Sequence, residues 1–161
     1  VLACIFFIYR MSSLTQIEPI EIPSHLIGED DLDLADINNR NTLITAYKIY
    51  GSLFFGAIDK IENLYTSNNG NLAPQVMILE MHQLINIDTS GIDSLKTLAK
   101  ELQKSGGTLL VCAANEQPAS LMVRSHFIQD IGAENCLPDL ESAFERAREI
   151  SLSQCKLSVG S

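Results

Sequence analysis

Residues 76–107 read VMILEMHQLINIDTSGIDSLKTLAKELQKSGG, and this stretch decides the fold. It opens with an apolar run from Val76 to Met81, which predicts a buried central strand. The pair Gly106–Gly107 is a typical end signal for the helix that precedes it. The helical spacing after Gly91 predicts one apolar face, formed by Ile92, Leu95, Leu98, Ala99 and Leu102. The stretch therefore predicts a strand, a short polar connection and a helix, which is the repeating unit of an α/β fold.

The polar connection Asp88-Thr89-Ser90-Gly91 lies where the predicted strand meets the predicted helix. One interpretation is structural: a hydroxyl accepts hydrogen bonds from the free N–H groups of the first turn, and Ser90 with Asp93 forms a capping box. The other is functional, because an exposed hydroxyl at a helix start can carry a phosphate. The free N–H groups and the helix dipole would stabilise that phosphate, and Asp88 would repel it.

Strand and helix signals alternate on both sides of this stretch. Residues 42–55, TLITAYKIYGSLFF, favour strand structure, which a turn near Tyr50–Ser52 would divide into two strands. The order predicts a mostly parallel sheet with helices packed on it. The other predicted elements are a helix over 57–65, a loop over 67–71, a strand over 108–113, a helix starting at Pro118 and ending at Gly132, a short strand over 135–137, and a helix capped by Asp139.

The chain begins with an apolar run, VLACIFFIY, that ends at Arg10. The run is shorter than the roughly 20 apolar residues that span a bilayer. It fits either an N-terminal strand or docking segment, or the end of a last transmembrane helix with Arg10 at the cytoplasmic boundary. The predicted segments are the junction at 1–16, an acidic linker with an edge strand at 17–41, the folded domain at 42–150, and a flexible tail at 151–161.

Charge and residue types argue against several functions. The formal net charge of −9, from 20 acidic and 11 basic side chains, leaves no basic face for nucleic acid. The four cysteines and three histidines lack metal-site spacing, so we predict no metal and no cofactor. Gly51 and Gly56 have P-loop spacing, but Ala57 and Ile58 replace the lysine and hydroxyl residue. We therefore predict that the protein is not an enzyme. A weak contact with a nucleotide or an anion near Ser90 remains an open alternative.

The D-T-S-G motif, set between a strand and a helix, resembles the core of STAS domains. In anti-sigma-factor antagonists of that family, the serine of this motif is phosphorylated by a partner kinase. The resemblance makes Ser90 the predicted phosphorylation site and Thr89 the lesser candidate. YKIYGSLFFGA at residues 47–57 resembles the first strands of STAS domains at the C-terminus of SulP-type anion transporters. IFFIYRMSSL at residues 5–14 resembles the link from the last transporter helix.

The resemblance implies a STAS-type α/β fold, a central mostly parallel mixed sheet with helices mainly on one face. It also implies a regulatory domain at the cytoplasmic face of the cell membrane, with an interaction loop at Asp88–Gly91. Its expected partners are the membrane part of the same transporter, a second copy of the domain or a regulatory protein. The transported ion would be sulfate, bicarbonate or a related anion. The alternative is a stand-alone anti-sigma-factor antagonist switched by serine phosphorylation.

Overall fold

The computed structural model describes residues 2–12, 15–23, 44–54, 60, 63 and 74–159. The strands are β1 (Gln16–Pro19), β2 (Ile44–Leu53), β3 (Val76–Glu80), β4 (Leu84–Ile87), β5 (Thr108–Cys112) and β6 (Cys136–Leu137). The helices with described bounds are α1 (Leu2–Ser12), α2 (Thr89–Lys104), α3 (Glu116–Arg124), α4 (Phe127–Ile131) and α5 (Leu140–Val159). A 3-10 turn at Ala133–Asn135 connects α4 to β6.

The strands form one mixed sheet with the order β1-β2-β3-β5-β6, and β4 pairs with the far end of β2. Only the β1–β2 pair is antiparallel among the described strands, and the other pairs are parallel. Parallel neighbours need long crossover connections, and α2 supplies the one between β3 and β5. The predicted mixed, mostly parallel sheet is confirmed.

Helices cover the two faces of the sheet unequally. Helices α2, α3 and α4 pack on the first face, with Met77, Leu79 and Leu95 in its core. Helix α5 packs on the second face, where Phe144 contacts a smaller core that includes Ile78. Neighbouring residues of β3 serve opposite cores because successive strand side chains point to opposite faces. That explains the unbroken apolar run of β3, and the predicted placement of helices mainly on one face is confirmed.

Strand β2 is one continuous element, so the predicted turn near Tyr50–Ser52 is wrong. Its first half pairs with β3 and its last residues, Gly51–Leu53, pair with β4. The register shifts between Gly51 and Ser52, and Gly51 has φ 82. Glycine adopts that angle without the clash that a Cβ would cause, so a bulge bends the strand where the sequence signal indicated a reversal.

Three other features of the fold differ from the prediction. The sequence did not predict β4, because its four residues are too few to show a period. The helix predicted from Pro118 to Gly132 is two helices, because His126 adopts a left-handed φ of 61 between α3 and α4. Lys96 donates a 2.7 Å hydrogen bond to the Ser125 carbonyl at that break. Helix α3 starts at Glu116, so Pro118 is its third residue, where an N–H would have no helical acceptor either.

Both terminal segments contain helix. Residues 2–12 are helical, which rules out the N-terminal strand, and Leu2, Ile5, Phe6 and Phe7 are exposed. No helix among the described residues is long and apolar enough to cross a membrane. Helix α5 continues to Val159, through most of the predicted tail. The predicted acidic linker beyond residue 23 and the loop over 67–71 lie outside the described residues, as does the helix over 57–65 except for two helical positions, 60 and 63.

Replacing a buried leucine of α2 tests the larger core. We expect Leu95→Ala to lower the free energy of unfolding by about 2–5 kcal/mol, because Leu95 is 0% exposed and its removal leaves a cavity. Leu152→Ala in α5 is the control, since that side chain is 53% exposed, and its effect should stay within about 0.5 kcal/mol. Urea denaturation followed by circular dichroism measures both. Equal losses in the two variants would contradict this packing.

Candidate functional site

The D-T-S-G motif lies at the carboxyl ends of the parallel strands. Strand β4 ends at Ile87, Asp88 follows, and α2 begins at Thr89. The Asp88 N–H donates to the Leu53 carbonyl at the end of β2, over 3.3 Å. The motif is therefore anchored to two strands at once, at the edge of an open α/β sheet where binding sites commonly form.

Asp88 is the N-cap of α2. Its backbone is extended (φ −108, ψ −178), and its Oδ1 accepts a 2.9 Å hydrogen bond from the Gly91 N–H. The same oxygen accepts a 2.7 Å hydrogen bond from the Ser90 hydroxyl. The predicted capping box of Ser90 with Asp93 is therefore wrong, because a carboxylate one residue before the helix occupies the capping position first. Ser90 is half-buried, whereas Thr89 is exposed.

The partial positive charge at the start of α2 already has an anionic partner. The partial positive charge of the N-terminus and its free N–H groups favour an anion, and the Asp88 carboxylate supplies one. A phosphoryl group on Ser90 would break the hydrogen bond to Asp88 and place two anions side by side. It would also compete for the Gly91 N–H that Asp88 now binds. Modification of Ser90 would thus exchange one cap for another and rearrange the motif.

Gly91 is required for packing. A Cβ at this position would lie 2.5 Å from the Leu53 carbonyl oxygen and 2.7 Å from Cγ1 of Ile87. Real Cβ atoms do not approach backbone oxygens so closely, so only glycine lets α2 seat against the ends of β2 and β4. Gly91 belongs to the predicted interaction loop, and in the structure it allows α2 to pack closely against β2 and β4.

Two amide side chains hold the outer edge of β4. Gln117 accepts from the Ile87 N–H and donates to the Ile87 carbonyl, each over 3.0 Å, as a neighbouring strand would. Asn115 donates to the carbonyls of His82 and Leu84 over 2.7 and 3.0 Å. Sequence reasoning missed both residues, because a side chain 30 positions away carries no local signal for strand capping. The two Gln117 bonds satisfy the N–H and the carbonyl of Ile87, the residue directly before the motif.

The surface around the motif combines apolar and polar groups. Ile85 on β4 is 65% exposed and Val123 on α3 is 54% exposed, while Thr89 and Asp93 are exposed polar neighbours along the chain. The Ser90 hydroxyl is bound to Asp88 and not to a histidine, so this part of the chain shows no serine–histidine pair at the motif. Among the described residues, no group of three or more His, Cys, Asp or Glu could hold a metal ion.

The thiols of Cys112 and Cys136 lie near this end of the sheet and have low reactivity. Burial, and then the negative charges of Glu80 and Asp139, raise the pKa of Cys112 to about 12. Burial, and then the charge of Glu134, raise the pKa of Cys136 to about 11. A thiol with so high a pKa carries almost no thiolate at neutral pH, so neither is suited to nucleophilic or redox chemistry.

Comparison with known proteins assigns the chain to a family. Residues 36–143 match the family model of the STAS domain. The putative sulfate transporter YvdB of Bacillus subtilis (strain 168) is 28% identical over 134 residues, which are 83% of this chain and 23% of that relative's length. The crystal structure of a sulfate transporter family protein from Wolinella succinogenes matches with a TM-score of 0.62 and 25% identity, over 67% of this chain and 87% of that one.

An anti-sigma factor antagonist has the same fold. The unphosphorylated form of SpoIIAA matches with a TM-score of 0.61 over 83% of this chain and 97% of that one, at 13% sequence identity. At that identity, the likeness concerns the fold alone.

The Gly91→Ala variant tests how closely α2 packs against the strand ends, because two effects predict opposite changes in the free energy of unfolding. Helix propensity alone would make Gly91→Ala stabilising by about 1 kcal/mol. We expect it instead to destabilise by about 1–3 kcal/mol, because the added methyl group meets the Leu53 carbonyl at 2.5 Å. Thr97→Ala, at an exposed position of the same helix, is the control and should leave stability within about 0.5 kcal/mol. Urea denaturation decides between the two signs, and a stabilising Gly91→Ala would refute the close approach.

Thiol labelling tests the protection of the buried cysteines. In the folded protein at pH 8 we expect iodoacetamide to modify exposed Cys4 and to react at least about 100-fold more slowly with Cys112 and Cys136. The raised folded pKa values also mean that both thiols favour the native state at low pH. This contribution is full below the unfolded pKa of about 8.5 and is lost as the pH rises toward 11–12. Residue-resolved mass spectrometry follows the labelling, and equal rates at Cys4 and Cys112 would contradict it.

Proposed function

This chain belongs to the STAS domain family, and we propose that it is the cytoplasmic regulatory and interaction domain of a SulP-type anion transporter. The observation that carries the proposal is the match to the putative sulfate transporter YvdB. That match covers 83% of this chain but 23% of the relative, as expected for one domain of a larger protein. The anion would be sulfate, by analogy with that relative, or a related anion such as bicarbonate.

The N-terminal helix supports attachment to a membrane part. In α1, Leu2, Ile5, Phe6 and Phe7 expose between 59% and 85% of their surface, and Arg10 follows them. Apolar side chains in this number are poorly matched to water and well matched to lipid or to transporter helices. A basic residue after such a run is typical of the cytoplasmic boundary of a membrane segment. The first partner that we propose is therefore the membrane part of the same protein.

The proposed interaction surface is centred on the D-T-S-G motif. Ile85, three residues before the motif in β4, offers an exposed apolar side chain, and Thr89 offers an exposed hydroxyl. Phosphorylation of Ser90 would act on this surface by breaking the 2.7 Å bond to Asp88 and adding negative charge at the start of α2. The role that we propose is regulatory and not enzymatic, because the carboxylate that accepts from the Ser90 hydroxyl is engaged as the cap of α2.

The second candidate is a stand-alone anti-sigma-factor antagonist. It is favoured by the D-T-S-G motif and by the shared fold with SpoIIAA. Its surface and its switch would be the same, but its partner would be a kinase and not a transporter. Fractionation of native cells with an antibody to the domain separates the two, because a transporter domain sits in a membrane-bound band several times larger than 17.7 kDa.

Uptake by the whole transporter tests the proposed surface. We expect Ile85→Asp to lower uptake of radiolabelled sulfate per surface copy by about threefold or more, because a charge in place of this exposed apolar side chain opposes docking. Leu152→Asp is the matched control: it places the same charge on an exposed leucine of α5 and should leave uptake unchanged. If uptake and surface abundance survive both Ile85→Asp and removal of residues 42–150, the domain has no regulatory part in transport.

A further inference from the structure

The last three residues of β2, Gly51–Leu53, are in contact with two separate parts of the molecule. Beyond the bulge, this segment leaves β3 and pairs with β4, which leads into the D-T-S-G motif. On its other side lies Thr15, the residue directly before β1. We call Gly51–Leu53 the shared segment.

Contacts from the motif side hold the shared segment by its main chain. The Asp88 N–H donates to the Leu53 carbonyl over 3.3 Å, and the Gly51 N–H donates to the Gln83 carbonyl over 3.0 Å. The Cα of Gly91 packs against the Leu53 carbonyl so closely that a Cβ would lie 2.5 Å from it. Any displacement of the start of α2 therefore presses on Leu53 or releases it.

A contact from the junction side holds the neighbouring peptide. The Thr15 hydroxyl donates to the Ser52 carbonyl, and Thr15 is 1% exposed. The Lys60 ammonium donates to the Thr15 carbonyl, so the main chain of Thr15 is held as well. Thr15 directly precedes β1, and α1 ends three residues earlier at Ser12. The buried Thr15 hydroxyl thus links the residue before β1 to the shared segment.

We propose that Thr15 is a positioning residue that couples the state of the D-T-S-G motif to the start of β1. Only the two backbone dihedrals of Leu53 separate the Ser52 and Leu53 carbonyls, and the Leu53 side chain is fully buried, so a displacement of the Leu53 carbonyl is passed on to the Ser52 peptide group. The bulge at Gly51, where φ is 82, is where the strand can absorb such a shift.

The coupling has a direction that rests on the proposed function. A phosphoryl group on Ser90, or a partner docked on the motif, loosens the cap that Asp88 forms. Asp88 also holds Leu53, so the shared segment relaxes at its bulge and the Ser52 carbonyl moves away from the Thr15 hydroxyl. The start of β1 is then released, and because α1 precedes β1 along the chain, the change is directed toward the segment that we propose to join the membrane part.

Amide hydrogen exchange with a double-mutant design tests the coupling in the 161-residue chain. Ser90→Asp mimics the charge, Thr15→Val removes the hydroxyl while keeping the side-chain shape, and Thr15→Ser keeps the hydroxyl. Ser52→Ala is the control, because it preserves the backbone carbonyl that Thr15 binds. We expect Ser90→Asp to raise exchange of the Gln16–Glu18 amides about fivefold in the wild-type and Thr15→Ser backgrounds, and less than about twofold with Thr15→Val.

Each outcome decides the question. Equal effects of Ser90→Asp with and without the Thr15 hydroxyl, or no effect on β1 while the amides of α2 respond, would overturn the coupling. If Thr15→Val does not fold, the comparison of Ser90→Asp alone with Ser90→Asp in the Ser52→Ala chain still decides, because unchanged β1 exchange in both refutes it. A failed coupling with a sulfate-uptake defect in Ile85→Asp leaves the proposed function standing. Coupling without that defect refutes the function and keeps the coupling.

Discussion

The close seating of α2 on the end of β2 is the constraint on which the rest of the structure depends. Gly91 brings the first turn of the helix into contact with the Leu53 carbonyl, with no room for a side chain between them. At that distance Ile92 and Leu95 reach the larger core, and the Asp88 N–H completes the hydrogen bonding of Leu53. One extra methyl group would separate the helix from the sheet and leave that carbonyl without its donor.

The electrostatics of the motif follow from this seating. The Asp88 carboxylate binds the Gly91 N–H in place of a solvent or ligand anion. The same oxygen accepts from the Ser90 hydroxyl, so one atom joins the cap of α2 to the side chain of Ser90. A change at either group therefore alters the hydrogen bonding of the other.

The exposed side of β4 is protected in a way that limits how a partner can bind. Gln117 and Asn115 fill the hydrogen-bonding positions of its outer edge, so a partner strand would have to displace them. Recognition through side chains remains available at β4, since Ile85 stays exposed. At β4 the protein therefore presents side chains and not an open strand edge.

The sequence by itself determined the α/β class, the buried strand at 76–80, helix α2 and the place of the D-T-S-G motif, because periodicity and composition are local properties. Tertiary structure decided what lies far apart along the chain. Asp88 caps α2, although the local sequence pattern assigned the cap to Ser90. The two strands predicted on either side of a turn near Gly51 are one strand, which a bulge bends. Gln117 binds Ile87, which is 30 positions away along the chain, and Thr15 binds Ser52, which is 37 positions away. Such contacts depend on where packing places each backbone group, and no pattern within a short window encodes that placement.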